Sequence, residues 1–195
     1  ITDAEYDAMA PTRWPVARKG SVGGRITPPR VRFVATPFRM PSNAPDADWP
    51  IVLLTGRLRD QWHTMTRTGA VARLMAHTPE PVLAINPADA ANLADGSLAR
   101  VVSRWGSAVL RPRHDPGLLP GTSFAPMHWT AQLAPAARIN TVVNAEADPV
   151  SGQPELKHTP IRVTPFVAAW HGFVLTHRAV GLPGAAWSAA IPCGD

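Results

Sequence analysis

Apolar residues collect in runs too short for helices at 51 to 54, 81 to 85, 98 to 103, 107 to 112, 123 to 126 and 161 to 163. Runs of this length, rich in Val, Ile and Leu and fenced by Gly, Pro, Asn and Asp, predict strands. The unbroken Ile51-Val52-Leu53-Leu54 predicts a strand buried on both faces. Asp95-Gly96 and Trp105-Gly106 are turn formers that set the third and fourth runs in hairpin-like succession. Asn86 can cap a short helix that takes Pro87 at its first position and ends near Leu93. Phe166, Trp170, Phe173, Val174 and His177 recur at helical spacing and predict an amphipathic helix. Many short strands with few helices predict a mainly β protein whose strands close into a barrel with a dry interior. Periodicity leaves the strand order open.

The ends differ from this middle. Residues 1 to 45 are Pro- and Gly-rich, open with a patternless acidic piece at 3 to 7, and read as an irregular connecting arm with one strand at 31 to 35. Residues 46 to 165 hold the barrel, and 166 to 195 hold the helix and a truncated tail. Beginning on Ile1 rather than Met, the chain reads as a fragment of something larger.

Composition supports the strand-and-turn reading and adds charge. With 22 Pro and 14 Gly in 195 residues, composition favours short strands joined by turns over long helices and argues against an all-helical fold. The formal charge of +5 comes from arginine, since Lys19 and Lys157 are the only lysines, which favours anion recognition. Nucleic acid is not the expected anion: there is no basic helix, aromatic RNA-binding motif or zinc-finger spacing. The single Cys193 can neither form an internal disulfide nor supply the thiolates of an iron–sulfur cluster, which fits a cytoplasmic setting. No stretch is long and apolar enough to predict a membrane span.

Chemistry concentrates where the first core strand ends. Thr55, Gly56, Arg57, Leu58, Arg59, Asp60, Gln61, Trp62, His63 and Thr64 form one continuous segment, and Thr66, Arg67 and Thr68 prolong it. Guanidinium forks pair bidentately with phosphate oxygens, Gly56 lets backbone N–H groups approach the same anion, and the hydroxyls add donors. A Thr-Gly-Arg alone is common and reads equally as a solvated basic loop; the density of donors favours a binding site. Other chemistries lack their motifs: no Gly-x-Ser-x-Gly elbow, no His-Glu-x-x-His or Cys-x-x-Cys pair, no phosphate-cradling Gly-x-x-x-x-Gly-Lys and no Gly-x-Gly-x-x-Gly.

This segment resembles the cofactor-binding segment in the C-terminal domain of molybdopterin-dependent oxidoreductases of the dimethyl sulfoxide reductase superfamily. Its Gln61-Trp62-His63-Thr64-Met65-Thr66-Arg67 is most similar to assimilatory nitrate reductases. Phe124-Ala125-Pro126-Met127-His128-Trp129 and the run from Asp148 to Pro160 agree in order and spacing. The resemblance implies a six-stranded double-psi β-barrel with short helices. It implies that residues 55 to 64, with Asn140 and Lys157, bind molybdopterin guanine dinucleotide, and that Arg57, His63 and Thr64 make direct contacts. It places Met127, His128 and Trp129 at the substrate channel, where a protonated His128 would attract an oxyanion; packing accounts for Met127 and Trp129 equally well. No residue of the chain is expected to ligate the metal or to be catalytic.

The implied parent is a cytoplasmic enzyme with molybdenum on bis-molybdopterin guanine dinucleotide, reducing nitrate to nitrite, with a 4Fe-4S cluster held outside this chain. Its partners would be the N-terminal domains of the same enzyme, nitrate and an electron donor, with no nucleic acid and no membrane. A formate dehydrogenase or other superfamily oxidoreductase is the nearest alternative, because the barrel is shared while chemistry is set elsewhere. A free-standing barrel acting as a binding module is the third; a fragment would instead expose an apolar face near Trp62 and Trp129.

Overall fold

A computed structural model of the chain describes residues 2 to 11, 33 to 178 and 180 to 193. It divides into two compact units, Ile1–Arg39 and Met40–Asp195. In the first, the acidic piece is a short helix, α1 (Asp3–Asp7), opened by a capping box. The Glu5 N–H donates to the Thr2 hydroxyl at 3.3 Å while the Thr2 N–H donates to the Glu5 carboxylate at 2.9 Å. Reciprocal capping and acidic residues in the first turn make this helix, so hydrophobic period gave no sign of it. Of the expected strand at 31 to 35, residues 31 and 32 lie outside the described residues, and 33 to 35 are exposed and form no strand.

The second unit is the barrel. Its strands are β1 (Ile51–Gly56), β2 (Val82–Ile85), β3 (Ala99–Val102), β4 (Ser107–His114), β5 (Thr122–Pro126) and β6 (Thr159–Pro165). They close in the order β1-β5-β2-β4-β3-β6. β1 is parallel to β5 and β2 to β4, and all other neighbours are antiparallel. Two parallel pairs inside a closed sheet require crossing connections, as the expected double-psi barrel does.

Side chains alternate, so every second residue enters the barrel. Leu53, Leu83, Ile85, Val101, Leu110 and Ile161 fill it, while Ala99, Ala108 and Ala125 leave room for them. Each large side chain buried this way contributes about 1.5–3 kcal/mol. The outward Val52 and Leu54 are only half-buried, so β1 is covered on one face and not on both as expected. A second cluster, Met65, Met75, Trp129, Ala134 and Ala137, lies beneath the segment that follows β1. Above it are a 3-10 turn (Thr68–Ala70) and a one-turn helix, α2 (Ala72–Met75), neither of which the sequence suggested.

Two helical expectations are corrected. Asn86 does cap, accepting the Ala88 N–H at 2.8 Å, but only a 3-10 turn (Pro87–Asp89) follows. Ala90 and Leu93 belong to the barrel core, and the chain turns inward to deliver them. No helix forms at 166 to 177; Trp170 and Phe173 are 81% and 94% exposed. An apolar stripe with nothing to pack against does not repay the entropy of a short helix. The tail, expected to be truncated and irregular, is irregular but returns to the barrel: Trp187 Nε1–H donates to the Val109 carbonyl at 3.1 Å under the Arg111 guanidinium, and the Ala190 N–H donates to Leu133 at 2.7 Å.

Candidate functional site

Strand register brings the expected segments to one end of the barrel. Gly56 at the end of β1 lies opposite Pro126 of parallel β5, so the chain leaves both strands side by side. The ladder continues past them: the Met127 N–H donates to the Gly56 carbonyl at 2.9 Å, and the Leu58 N–H donates to His128 Nε2 at 2.8 Å. β6 starts here, with Thr159 opposite Leu53. Just before it, the Thr55 N–H and hydroxyl both donate to the Leu156 carbonyl, at 3.2 and 2.7 Å, and the Lys157 ammonium donates to the Thr55 carbonyl. The β3–β4 turn is at the same end, because Val102 faces both Arg162 and Ser107. Against that turn packs the 3-10 turn carrying Asn140 (Ile139–Thr141), tied by a 2.6 Å bond from the Ser103 hydroxyl to the Val142 carbonyl.

The segment after β1 folds into a compact loop. His63 (φ 41°) and Met65 (φ 61°) are non-glycine residues in the left-handed region, each costing roughly 1–2 kcal/mol. Burial of Met65 and bonds from the Met65 N–H to Trp62 and from the Gly69 N–H to Met65, both at 2.8 Å, hold that geometry. Gln61 is buried, its amide N–H donating to Met75 Sδ at 3.4 Å, and its Oε1 has no partner among the described residues. Above lies an open cleft of about 570 Å³ lined by Trp62, His63, Thr64, Thr66, Arg67 and Thr68.

Electrostatics sort the cations. The Arg59 guanidinium is occupied, pairing with Asp60 through bonds of 3.0 and 3.2 Å, and Asp60 also accepts from His77 Nδ1 at 2.8 Å. The Arg59 bond first, then His77, holds the Asp60 carboxyl below the usual carboxylate range. Among the described residues, Arg57, Arg67 and Lys157 have no carboxylate within ion-pair distance. Arg57 lies 5.7 Å from the Trp62 ring centroid, and Trp62 is 61% exposed. Unpaired cations, hydroxyls and one open indole, with no acid in the lining, suit an anionic ligand that carries a flat ring system.

Residues 51–160, more than half of the chain, match the family model "Molydopterin dinucleotide binding domain". The chain belongs to this molybdopterin dinucleotide-binding family. It is 42% identical over 184 residues to a nitrate reductase of Klebsiella oxytoca, covering 91% of this chain and 21% of that protein. It is 30% identical to a nitrate reductase of Shewanella frigidimarina (97% and 24% covered), and 32% identical to the F420-dependent formate dehydrogenase subunit alpha of Methanocaldococcus jannaschii (72% and 19%). The chain thus spans about a fifth to a quarter of these relatives. Acetylene hydratase from Pelobacter acetylenicus shares the fold, with a TM-score of 0.51 at 19% identity over 60% of this chain and 18% of that one.

Within this molybdopterin dinucleotide-binding domain the expected residues divide into those presented and those that build. Arg57, Trp62, His63 and Thr64 are exposed at the cleft end, whereas Thr55, Gly56 and Gln61 are buried and Leu58 is half-buried. Glycine at 56 is required by packing, since a Cβ there would sit 2.7 Å from Cε2 of Phe124 and 3.5 Å from the Lys157 Nζ. Asn140 is exposed, and among the described residues no hydrogen bond joins its side chain to the segment 55 to 64.

The channel residues need correction. His128 has no exposed surface, its two nitrogens are bonded to Leu58 and His63, and desolvation lowers its pKa. It presents no cation to an oxyanion. Trp129 is 4% exposed in the lower cluster, with no partner for its Nε1–H among the described residues, and only Met127 is half-buried. An apolar face was expected near both tryptophans, but only Trp62 is open. The expected site stopped at Thr64, although the cleft continues through Thr66, Arg67 and Thr68, which the local density of donors had already marked. Asn144 was missed: its buried amide donates to the His158 carbonyl at 2.7 Å and the Glu155 carboxylate at 3.0 Å, while its oxygen accepts the Glu146 N–H at 2.8 Å. It ties the loop that delivers Lys157, and nothing in its sequence context separates it from Asn140.

Proposed function

We propose that the chain is the cofactor-binding portion of a molybdenum nitrate reductase that uses bis-molybdopterin guanine dinucleotide and reduces nitrate to nitrite. The observation that carries this is the acid-free cleft with Arg67 in its lining and Arg57 beside Trp62, both without an ion pair among the described residues, in a chain whose similarity to nitrate reductases extends along almost its whole length. The donor set fits the group. Arg57, Arg67 and Lys157 would neutralise its phosphates, Thr64, Thr66, Thr68 and His63 would donate to phosphate and ring oxygens, and Trp62 would cover a ring face. Asn140 is proposed to reach a heterocycle edge from the neighbouring turn. When bound, the cofactor supplies the molybdenum whose two-electron chemistry removes an oxygen atom from nitrate.

The chain's own share is to hold, orient and desolvate that group, with no catalytic side chain of its own. Electrons from a donor protein would come through a 4Fe-4S cluster in the N-terminal domains of the same enzyme. Exposed Val167, Trp170, Phe173 and Leu175 offer apolar surface for such domains. We place the enzyme in nitrate assimilation in the cytoplasm. Formate dehydrogenase is kept as a second reading on the similarity to the formate dehydrogenase subunit.

The test is metal analysis of the full-length protein, purified anaerobically, with reduced-viologen nitrate and formate oxidation assays. Molybdenum with nitrate turnover is the expected result. Molybdenum with formate turnover alone selects the second reading, and absence of molybdenum from active protein rejects both.

A further inference from the structure

We propose that His128 is the positioning residue that shapes the dinucleotide-binding loop, its imidazole joining the Leu58 N–H to the His63 carbonyl and so fixing where Arg57 and Thr64 stand. The proposal rests on the cofactor reading of the cleft above it. Leu58 N–H donates to Nε2 at 2.8 Å and Nδ1 lies 2.6 Å from the His63 carbonyl oxygen. Since a carbonyl only accepts, Nδ1 must carry the proton, and since Nε2 accepts, it must be bare. The neutral Nδ1–H tautomer is the only form of this ring that satisfies both partners.

Arg57 immediately precedes one anchor point and Thr64 immediately follows the other, so the ring sets the spacing between two residues of the donor set. At the second anchor and just beyond it the backbone is forced: His63 and Met65 occupy the left-handed region, which non-glycine residues hold only when their surroundings impose it. The buried ring, locked to His63 itself, is one such surrounding.

This clamp is sensitive to protonation. A proton on Nε2 would face the Leu58 N–H donor to donor and remove the acceptor. The charged and titratable groups acting on the ring are Arg57 and His63, both on the loop; burial disfavours the cation, as do the Arg57 charge and the neighbouring His63 imidazole, while the bond to the His63 carbonyl favours it. The folded pKa therefore lies below that of the unfolded chain. The ring's stabilisation is complete above about pH 6.5 and is lost as pH falls through the folded value.

The experiment uses the full-length protein, wild type and His128→Phe. Hydrogen exchange of the peptide containing Leu58, divided by the intrinsic rate, is followed from pH 8 down to the onset of acid unfolding, together with guanine nucleotide retained after gel filtration. Wild type should hold the Leu58 amide at pH 8 and release it on acidification by roughly tenfold, the worth of one such hydrogen bond, with nucleotide loss in step. His128→Phe should be unprotected throughout, with no pH step. A wild-type profile that stays flat until the protein unfolds as a whole, or protection unchanged in His128→Phe, overturns the proposal. The wild-type titration needs no variant to fold. Wild type carrying no nucleotide at pH 8 would count against the cofactor reading, and Leu58 exchange would still decide on the clamp.

Discussion

Gly106→Ala probes how rigidly the barrel end carries the Asn140 turn. An alanine Cβ at this position would sit 2.3 Å from the Thr141 carbonyl oxygen and 3.2 Å from its carbon. Unstrained contacts of this kind lie near about 3.5 Å, so the backbone of residue 141 must retreat by roughly 1 Å. No side-chain rotation relieves a clash with backbone. Gly106 does not hold a left-handed φ, so backbone preference adds nothing to the steric cost. The turn is pinned by the 2.6 Å Ser103–Val142 bond, by the Thr141 hydroxyl on Ser107 at 3.2 Å and by Val142 in the core.

Overpacking at the upper end of its range, about 3 kcal/mol, plus about 1 kcal/mol for a strained buried hydrogen bond, less about 0.5–1 kcal/mol from the stiffer unfolded chain, gives a net loss near 3 kcal/mol. Urea denaturation followed by tryptophan fluorescence, at an unchanged slope, should report it. A loss under about 1 kcal/mol would refute the argument that this turn is fixed, because it would match ordinary surface effects.

Gly96→Ala is the control: nothing lies within 4 Å of its Cβ, but φ is +78°, so it should cost only the left-handed penalty of about 1–2 kcal/mol by the same titration. Asn144→Ala strands the Glu146 N–H and the His158 carbonyl and should cost about 2–3 kcal/mol, with faster hydrogen exchange in residues 146 to 158. Arg57→Ala breaks no ion pair among the described residues and should leave stability within about 0.5 kcal/mol while lowering guanine nucleotide content, read by chromatography after acid release. Asp60 should titrate below a free carboxylate, and His77→Ala should raise its midpoint in an NMR titration. Its depressed pKa makes that contribution present at neutral pH and lost only as pH falls through the folded value.

The barrel was legible because its strands are short apolar runs whose alternate residues have only one place to go. Helices were not: α1 rests on a cap, the stripe from Phe166 to His177 has no core to meet, and the turn after Asn86 is cut short by the need to bury Ala90 and Leu93. The donor-rich segment was visible as composition, since Arg, Thr and His side chains advertise their chemistry. Which of them face outward was not, because that depends on pairing across the barrel. Thr55 spends its hydroxyl on Leu156, Arg59 spends its charge on Asp60, and His128 is closed off by two backbone groups seventy and sixty-five positions away.

The most direct test is the stoichiometry of acid-released GMP and molybdenum in the full-length protein, compared with an Arg57→Ala, Arg67→Ala double variant of equal thermal stability. Nucleotide and metal bound to wild type and depleted in the variant are what this site requires. Equal content in both proteins would mean that the cleft beneath Trp62 is not where the cofactor's phosphates are held.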